Sequence, residues 1–229
     1  MVFPIGLTPA ACFYGFEMLK FALLLIYATV EAAYIPVDFF RYPWVSVYHI
    51  DSYDDVVSKG LVNFTALGHY GDVDYTGLAV AKASELSQTL GIVPQSMPNT
   101  VYYGGVNGLL SSTEVKISTP IRGPTDMGSY DRLFKPHSFW FGCLTLSAKP
   151  GSCNVTVTSY QYEQAAQTQV FRFEASATAL SVNMTKAVFS DDFTFVHGLI
   201  FTTSFDTVGV LGATVLDNFE YTYNTYLIG

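Results

Sequence analysis

Short runs of alternating or continuously apolar residues recur along the chain, separated by Gly, Pro, Asn, Asp and Ser. In residues 170–175, two phenylalanines alternate with Arg172 and Glu174, which is the period expected of a strand with one buried face. Further β-prone runs span residues 139–146, 155–158, 197–203 and 215–223. The pattern predicts a protein built mainly of strands.

The last of these runs carries an acidic residue on its apolar face. Alternation places Asp217 on the same side as Val215, Phe219, Tyr221 and Tyr223. A buried carboxylate is costly unless it is paired or hydrogen-bonded. Asp217 therefore requires a partner from elsewhere in the chain.

One segment has a helical period instead. Apolar residues stand at positions 79, 80, 83, 86 and 90, and Gly91 follows as a stop signal. We therefore expect one short helix over residues 78–90. Together with the regularly spaced turns, this predicts an all-β fold, a jelly-roll β-sandwich with one short helix, preceded by an N-terminal signal segment.

Residues 1–32 have the pattern of a leader. Within 18–32, Lys20 precedes the apolar run 21–30, and Val30 and Ala32 stand at the −3 and −1 positions of a cut after Ala32. Residues 1–17 are interpreted as an upstream extension, and residues 33–229 as a single β-sandwich domain. This predicts a secreted, extracellular protein that is not integral to a membrane after the signal is removed. The alternative is an uncleaved signal anchor, because residues 1–16 are also apolar.

Two cysteines and three glycosylation motifs fit the same compartment. Cys143 and Cys153 flank the turn signal Pro150-Gly151, so they can face each other across two antiparallel strands. An oxidising compartment favours a disulfide between them over two free buried thiols. N-x-S/T motifs occur at Asn63, Asn154 and Asn183.

The amino-acid composition and the net charge exclude several classes of protein. The formal charge is −8, and only 13% of the residues are charged. A chain without clustered Lys and Arg is not expected to bind nucleic acid, whose phosphates need such clusters. Its 16% of aromatic residues excludes intrinsic disorder and indicates a large core.

An acidic cluster near the start of the predicted domain is a candidate metal site. Asp51, Asp54 and Asp55 lie close in sequence, and Asp217 joins them if the first and last strands pair. Oxygen-rich sets of this kind suit Ca²⁺, so the cluster is a candidate site for a structural Ca²⁺. The alternative is a solvated acidic turn, with Asp217 hydrogen-bonded to backbone N–H groups.

Tyrosines in loops are the candidate ligand-binding residues. Amphipathic rings often stack on sugars at binding sites, and five tyrosines are candidates for such a platform: Tyr70, Tyr75, Tyr102, Tyr103 and Tyr130. Each of them is also suited to a core. No pair of histidines has a local zinc-binding spacing, and the sequence contains neither a nucleophile elbow nor a phosphate-binding loop.

Several segments, taken in order, resemble a known group of proteins. They are 50–55 (IDSYDD), 75–78 (YTGL), 94–99 (PQSMPN), 138–143 (SFWFGC) with 153–158 (CNVTVT), and 216–222 (LDNFEYT). In this order they resemble fungal secreted proteins of unassigned function with a galactose-binding-like or carbohydrate-binding-module-like jelly roll. In such folds a structural calcium often bridges the first and last strands, which implies Asp51, Asp54 or Asp55 together with Asp217.

These observations favour a secreted, N-glycosylated, non-catalytic β-sandwich that binds a glycan or cell-wall polysaccharide, or that sits at a host surface. One alternative is a glycoside hydrolase or polysaccharide lyase on the same fold, although a lyase would need basic residues that are scarce here. Another is a secreted effector or structural protein that binds another protein.

Overall fold

In a computed structural model, the structure describes residues 44–58, 65–85, 91–106, 109–110, 114–119, 133–147, 149–161, 164–176, 180–207 and 212–226. The expected leader, residues 1–32, lies outside these ranges, as do Asn63 and Tyr130. No helix in the described part is long and apolar enough to cross a membrane.

Strands account for most of the described residues. They are β1 (Trp44–Asp51), β2 (Ala66–Tyr70), β3 (Val73–Lys82), β4 (Ile92–Val93), β5 (Asn99–Val106), β6 (Leu109–Leu110), β7 (Glu114–Ser118), β8 (Phe134–Thr145), β9 (Cys153–Gln161), β10 (Gln164–Phe173), β11 (Val182–Asn183), β12 (Thr185–Val188), β13 (Gly198–Phe205) and β14 (Gly212–Tyr226). A three-residue helix, α1 (Ala83–Glu85), follows β3. The all-β prediction is confirmed.

Twelve of the strands form one antiparallel sheet. Its main path runs β10-β9-β13-β7-β3-β5-β14-β8-β12, while β1 pairs with β14, β2 with β3 and β6 with β5. The short strands β4 and β11 form a separate parallel pair. The first and last strands of the described chain are therefore neighbours, which is the condition under which Asp217 can approach the acidic cluster.

The sheet folds over a shared aromatic core. Phe139 on β8 meets Phe201 on β13 edge to face at 5.3 Å, and it meets Phe171 on β10 at 5.2 Å. These strands lie far apart along the sheet path, so their rings can touch only if the two halves of the sheet face each other. This is the layered arrangement of a β-sandwich.

A glutamine side chain joins the two ends of the sheet. Nε2 of Gln169 on β10 donates to the carbonyl oxygen of Val188 on β12 at 3.2 Å. Its Oε1 accepts from the backbone N–H of Ser190 at 3.0 Å. The amide therefore satisfies backbone groups at an edge that β-pairing leaves open.

The prediction of a helix over residues 78–90 is wrong for most of the residues that the structure describes. Residues 78–82 belong to β3, only 83–85 are helical, and 86–90 lie outside the described residues. Leu78, Ala79, Val80 and Ala81 are all buried, because both faces of the strand are covered here. A run buried on both faces loses its period of two, and periodicity then cannot distinguish it from a helix.

The single apolar face expected on β14 is also wrong. Its pairing with β8 shifts register between Asp217 and Glu220, and Asn218 has a left-handed φ of 46°. Leu216 lies opposite the core residue Phe141 before this bulge, whereas Phe219 packs in the core after it. The bulge therefore changes which alternate residues point inward.

Candidate functional site

The predicted disulfide is present. Cys143 on β8 and Cys153 on β9 are bonded, with a Cα–Cα distance of 6.3 Å. Asn154, the next residue, lies on the side of β9 that alternates away from the buried residues, and it is partly exposed. Asn183 on β11 is exposed. Both described glycosylation motifs therefore reach the surface, and Asn63 lies outside the described residues.

The predicted acidic site lies at the point along β14 where its pairing changes from β5 to β1. The C-terminal half of β14 pairs with β1, which ends at Asp51, and its N-terminal half pairs with β5, which begins at Asn99. The segments after β1 and before β5 meet beside Asp217. We call this region, residues 51–55, 96–99 and 217–218, the strand junction.

Asp217 is fully buried and is held by hydrogen bonds. Ser96 donates its backbone N–H to Oδ2 at 2.8 Å and its hydroxyl to Oδ1 at 3.0 Å, and Asn218 donates its N–H to Oδ1 at 2.9 Å. Burial raises the pKa of Asp217 to about 6 despite these bonds, and the charge of Asp54 adds to the rise. The partner that the sequence requires for Asp217 is thus a loop that arrives 121 residues earlier in the chain.

Asp54 lies on the other side of the same serine. Its Oδ1 is 3.5 Å from the Ser96 hydroxyl and accepts the Asn99 N–H at 3.3 Å. The Asn99 side chain in turn donates to three backbone carbonyls of the turn after β1, those of Tyr53, Asp54 and Val56. Asn99 therefore fixes the turn that carries Asp54.

Asp51 sits apart, in a cage of tyrosines. It is 4% exposed, and Tyr75 donates its hydroxyl to Oδ2 at 2.5 Å. Burial raises its pKa to about 6, against hydrogen bonds from Tyr75 and Tyr221 that lower it. Above the cage, His49 stacks on Tyr221 and contacts Asp72 at 3.1 Å.

The four expected metal ligands therefore divide into three places. Asp54 and Asp217 share Ser96, Asp51 lies in the tyrosine cage, and Asp55 accepts the Tyr70 hydroxyl at 2.5 Å. Among the described residues, no group of three or more His, Cys, Asp or Glu side chains is placed to hold a metal.

One atom of the strand junction nevertheless suits a cation. Oδ1 of Asn218 is buried without a hydrogen-bond donor among the described residues. Hard cations such as Ca²⁺ take carboxylate and amide oxygens together. Asp54, Asp217 and Asn218 are therefore the residues that fit the calcium implied by the resemblance.

The tyrosine platform needs correction. Tyr75, Tyr102 and Tyr103 are buried, so their faces are not available for stacking on a sugar. Tyr103 donates to or accepts from Thr203 at 2.7 Å inside the core. Tyr70 is partly exposed, and Tyr130 lies outside the described residues. A buried hydroxyl with a partner satisfies the polar end of the ring, which the sequence does not show.

A different aromatic surface faces solvent, and sequence reasoning did not identify it. It lies on the outer side of β1, β14, β8 and β12, and we call it the Glu220 face after its central residue. The face consists of Tyr48, Ile50, Trp140, Lys186 and Glu220. Tyr48 and Ile50 are each 54% exposed, and Trp140 is partly exposed.

Hydrogen bonds converge on the carboxylate at its centre. Tyr48 donates to Glu220 Oε2 at 2.8 Å, and Lys186 donates to Oε1 at 2.8 Å. Lys186 Nζ also lies 6.0 Å from the centroid of the Trp140 ring. Burial alone would raise the pKa of Glu220, but the bonds from Lys186, Ser138 and Tyr48 outweigh it and lower the pKa. Glu220 is thus a fixed carboxylate between two partly exposed rings.

Comparisons with known proteins add little to this description. No protein-family model matches the chain, and no curated protein matches it at a significant level. Among solved structures, the chain is similar to the crystal structure of a DUF4465 family protein from Bacteroides caccae ATCC 43185. The two share 8% sequence identity with a TM-score of 0.49, over 76% of this chain and 98% of that chain.

Proposed function

We propose that this chain is a secreted, N-glycosylated, non-catalytic β-sandwich that binds carbohydrate at a cell wall or host surface. The resemblance to fungal secreted proteins implies the same role. The observation that carries the proposal is the disulfide between Cys143 and Cys153, followed directly by an outward-facing glycosylation motif at Asn154. Disulfides persist in secreted proteins and are rare in the cytosol.

Two further observations on the surface of the described residues support the proposal. Asn183 is exposed in a second motif. The Glu220 face presents aromatic rings beside hydrogen-bonding groups, which is the mixture that sugar-binding sites use.

Expression with the native leader in a eukaryotic secretory host tests the proposal. We expect the protein in the medium, with no free thiol in the mature chain. Removal of N-glycans by peptide:N-glycanase should raise its electrophoretic mobility, and the Asn154→Gln variant should lose one step of that shift. Retention of the chain inside the cell, with two titratable thiols and no glycan, would contradict it.

Binding and catalysis are separated with a panel of polysaccharides. The non-catalytic reading expects retention of the protein on at least one of them without release of reducing or unsaturated ends. Release of such ends would instead identify the hydrolase or lyase alternative.

We further propose a structural Ca²⁺ at the strand junction, held by Asp54, Asp217 and Asn218. The orphaned Oδ1 of Asn218 is the observation that favours it. When bound, the ion would supply positive charge to two carboxylates that otherwise repel each other across Ser96.

The melting temperature measured in excess Ca²⁺ and in EGTA tests this site. A ligand at about 100 times its Kd adds about 2.7 kcal/mol to the free energy of unfolding, so we expect a rise of several degrees. The Asn218→Gly variant keeps the left-handed backbone and removes the oxygen, so its melting temperature should respond less to Ca²⁺. Equal melting temperatures of the native protein in both buffers would reject a tight site.

A further inference from the structure

We propose that the Glu220 face binds an extended, neutral polysaccharide, with the ring of Tyr48 stacked on the C–H face of a pyranose. This inference rests on the proposed carbohydrate-binding function and adds to it the surface and the class of glycan.

The side chains of this face are fixed in place by one another. Tyr48 is held by its bond to Glu220 and by the ring of His137, whose centroid lies 5.6 Å away. His137 is anchored in turn by a 2.5 Å contact between its Nε2 and the hydroxyl of Thr222. A ring that is already oriented loses little conformational freedom when a ligand binds, which favours affinity.

The face crosses four strands. Ile50 on β1 is in register with Glu220 on β14, Glu220 with Ser138 on β8, and Ser138 with Val188 on β12. Ser138 is small and buried, whereas Ile50 and Val188 are 54% and 61% exposed. The side chains at the two ends of this row are therefore much more exposed than Ser138 between them. Because the four strands span about 14 Å at about 4.8 Å per step, the surface suits several sugar rings of a chain.

Charge selects a neutral ligand. The ion pair between Lys186 and Glu220 compensates both charges within the face. The whole chain carries a formal charge of −8, so a polyanionic glycan would be repelled as it approaches. The Lys186 ammonium, the Glu220 carboxylate and the Thr222 hydroxyl remain suited to hydrogen bonds with sugar hydroxyls.

Binding isotherms on particles of cellulose, chitin and β-1,3-glucan, with soluble polygalacturonate as the anionic comparator, test the proposal. We expect binding to at least one neutral polymer and none to polygalacturonate. Tyr48→Ala should weaken binding about tenfold or more, as removal of an anchoring aromatic residue does. Tyr48→Phe retains the ring and should retain most of the affinity.

The matched control is Tyr160→Ala, the same change at a partly exposed tyrosine on β9, in the other half of the sheet. It should bind as the native protein does. Melting temperatures of the three variants verify that each one folds.

The outcomes separate the two proposals. If a neutral polymer is bound equally by the native protein and by the Tyr48→Ala variant, the Glu220 face is not the binding surface, while carbohydrate binding stands. If polygalacturonate is the preferred ligand, the charge argument is wrong. If no polysaccharide is bound at all, carbohydrate binding fails and this inference fails with it.

Discussion

Asp51 gives the sharpest test of the buried electrostatics. The residue is 4% exposed, and burial raises the pKa of its carboxyl group from 3.8 to about 6. The groups that face it are the hydroxyls of Tyr75 and Tyr221, with His49 and Asp72 further out. A pKa that is higher in the folded state means that folding favours the protonated acid.

The sign of the pH dependence follows directly. At low pH the carboxyl is neutral in both states, and its contribution to stability is fully present. Between about pH 4 and pH 6 the unfolded chain loses this proton while the folded chain still holds it, so the contribution is lost as the pH rises. The difference between 3.8 and about 6 corresponds to about 3 kcal/mol, because one pKa unit is worth about 1.4 kcal/mol.

The variant Asp51→Asn removes the titration, and it also replaces one of the two acceptor oxygens by an amide donor, a cost that does not change with pH. The amide oxygen still accepts the Tyr75 hydroxyl, and the side chain has nearly the same volume. We therefore expect the free energy of unfolding of the variant, relative to the native protein, to rise by about 2.5 kcal/mol between pH 4 and pH 7.5, because the unfolded-state carboxyl is already more than half ionised at pH 4. Urea denaturation at a series of pH values measures this difference.

Other carboxyl groups titrate in the same range, so the comparison between variants is the informative quantity. Asp192→Asn makes the same chemical change at an exposed residue and reports the effect of removing one surface carboxylate. If Asp51→Asn and the native protein lose stability in parallel over this pH range, the buried cage does not disfavour the charge of Asp51, and the reasoning is refuted.

Three further changes test the packing. Gly71→Ala should lower the free energy of unfolding by more than about 1 kcal/mol, because φ is 60° and a Cβ there would lie 2.8 Å from Oδ1 of Asp51; a normal urea midpoint would contradict this. Replacing Cys143 and Cys153 by alanine should cost about 3 kcal/mol by the chain-entropy estimate, measured by the same assay. Gln169→Ala should cost about 1 kcal/mol through its two bonds to backbone groups at the sheet edges, and no loss relative to Gln164→Ala would contradict that role.

The predictions from sequence succeeded where one face of a strand is buried and the other is solvated. Phe171 and Phe173 are buried, and Arg172 between them is exposed, as the alternation predicts. The disulfide followed from a turn signal between two strands that are close in sequence. Both results depend on local information, the period of two in the first case and the turn signal in the second.

The tyrosines show where local information ends. Tyr75 and Tyr103 have the amphipathic rings that a sugar-binding platform needs, but they are buried. Their hydroxyls form hydrogen bonds with Asp51 and Thr203 inside the protein. Conversely, Tyr48 becomes part of a surface only because it meets Glu220, 172 residues later. Whether an amphipathic ring is core or platform depends on long-range register, which no single segment encodes.

The bulge of β14 connects the strand junction to the Glu220 face. If strict alternation continued from Leu216, which lies opposite Phe141 in the core, Glu220 would point inward as well. An ionised glutamate inside this aromatic core would cost several kcal/mol without a partner. The left-handed φ of Asn218 and the register shift reverse the alternation, so Glu220 reaches Tyr48 and Lys186 on the outside. The hydrogen bonds that hold Asp217 and Asn218 at the junction therefore also fix the residue at the centre of the proposed glycan surface.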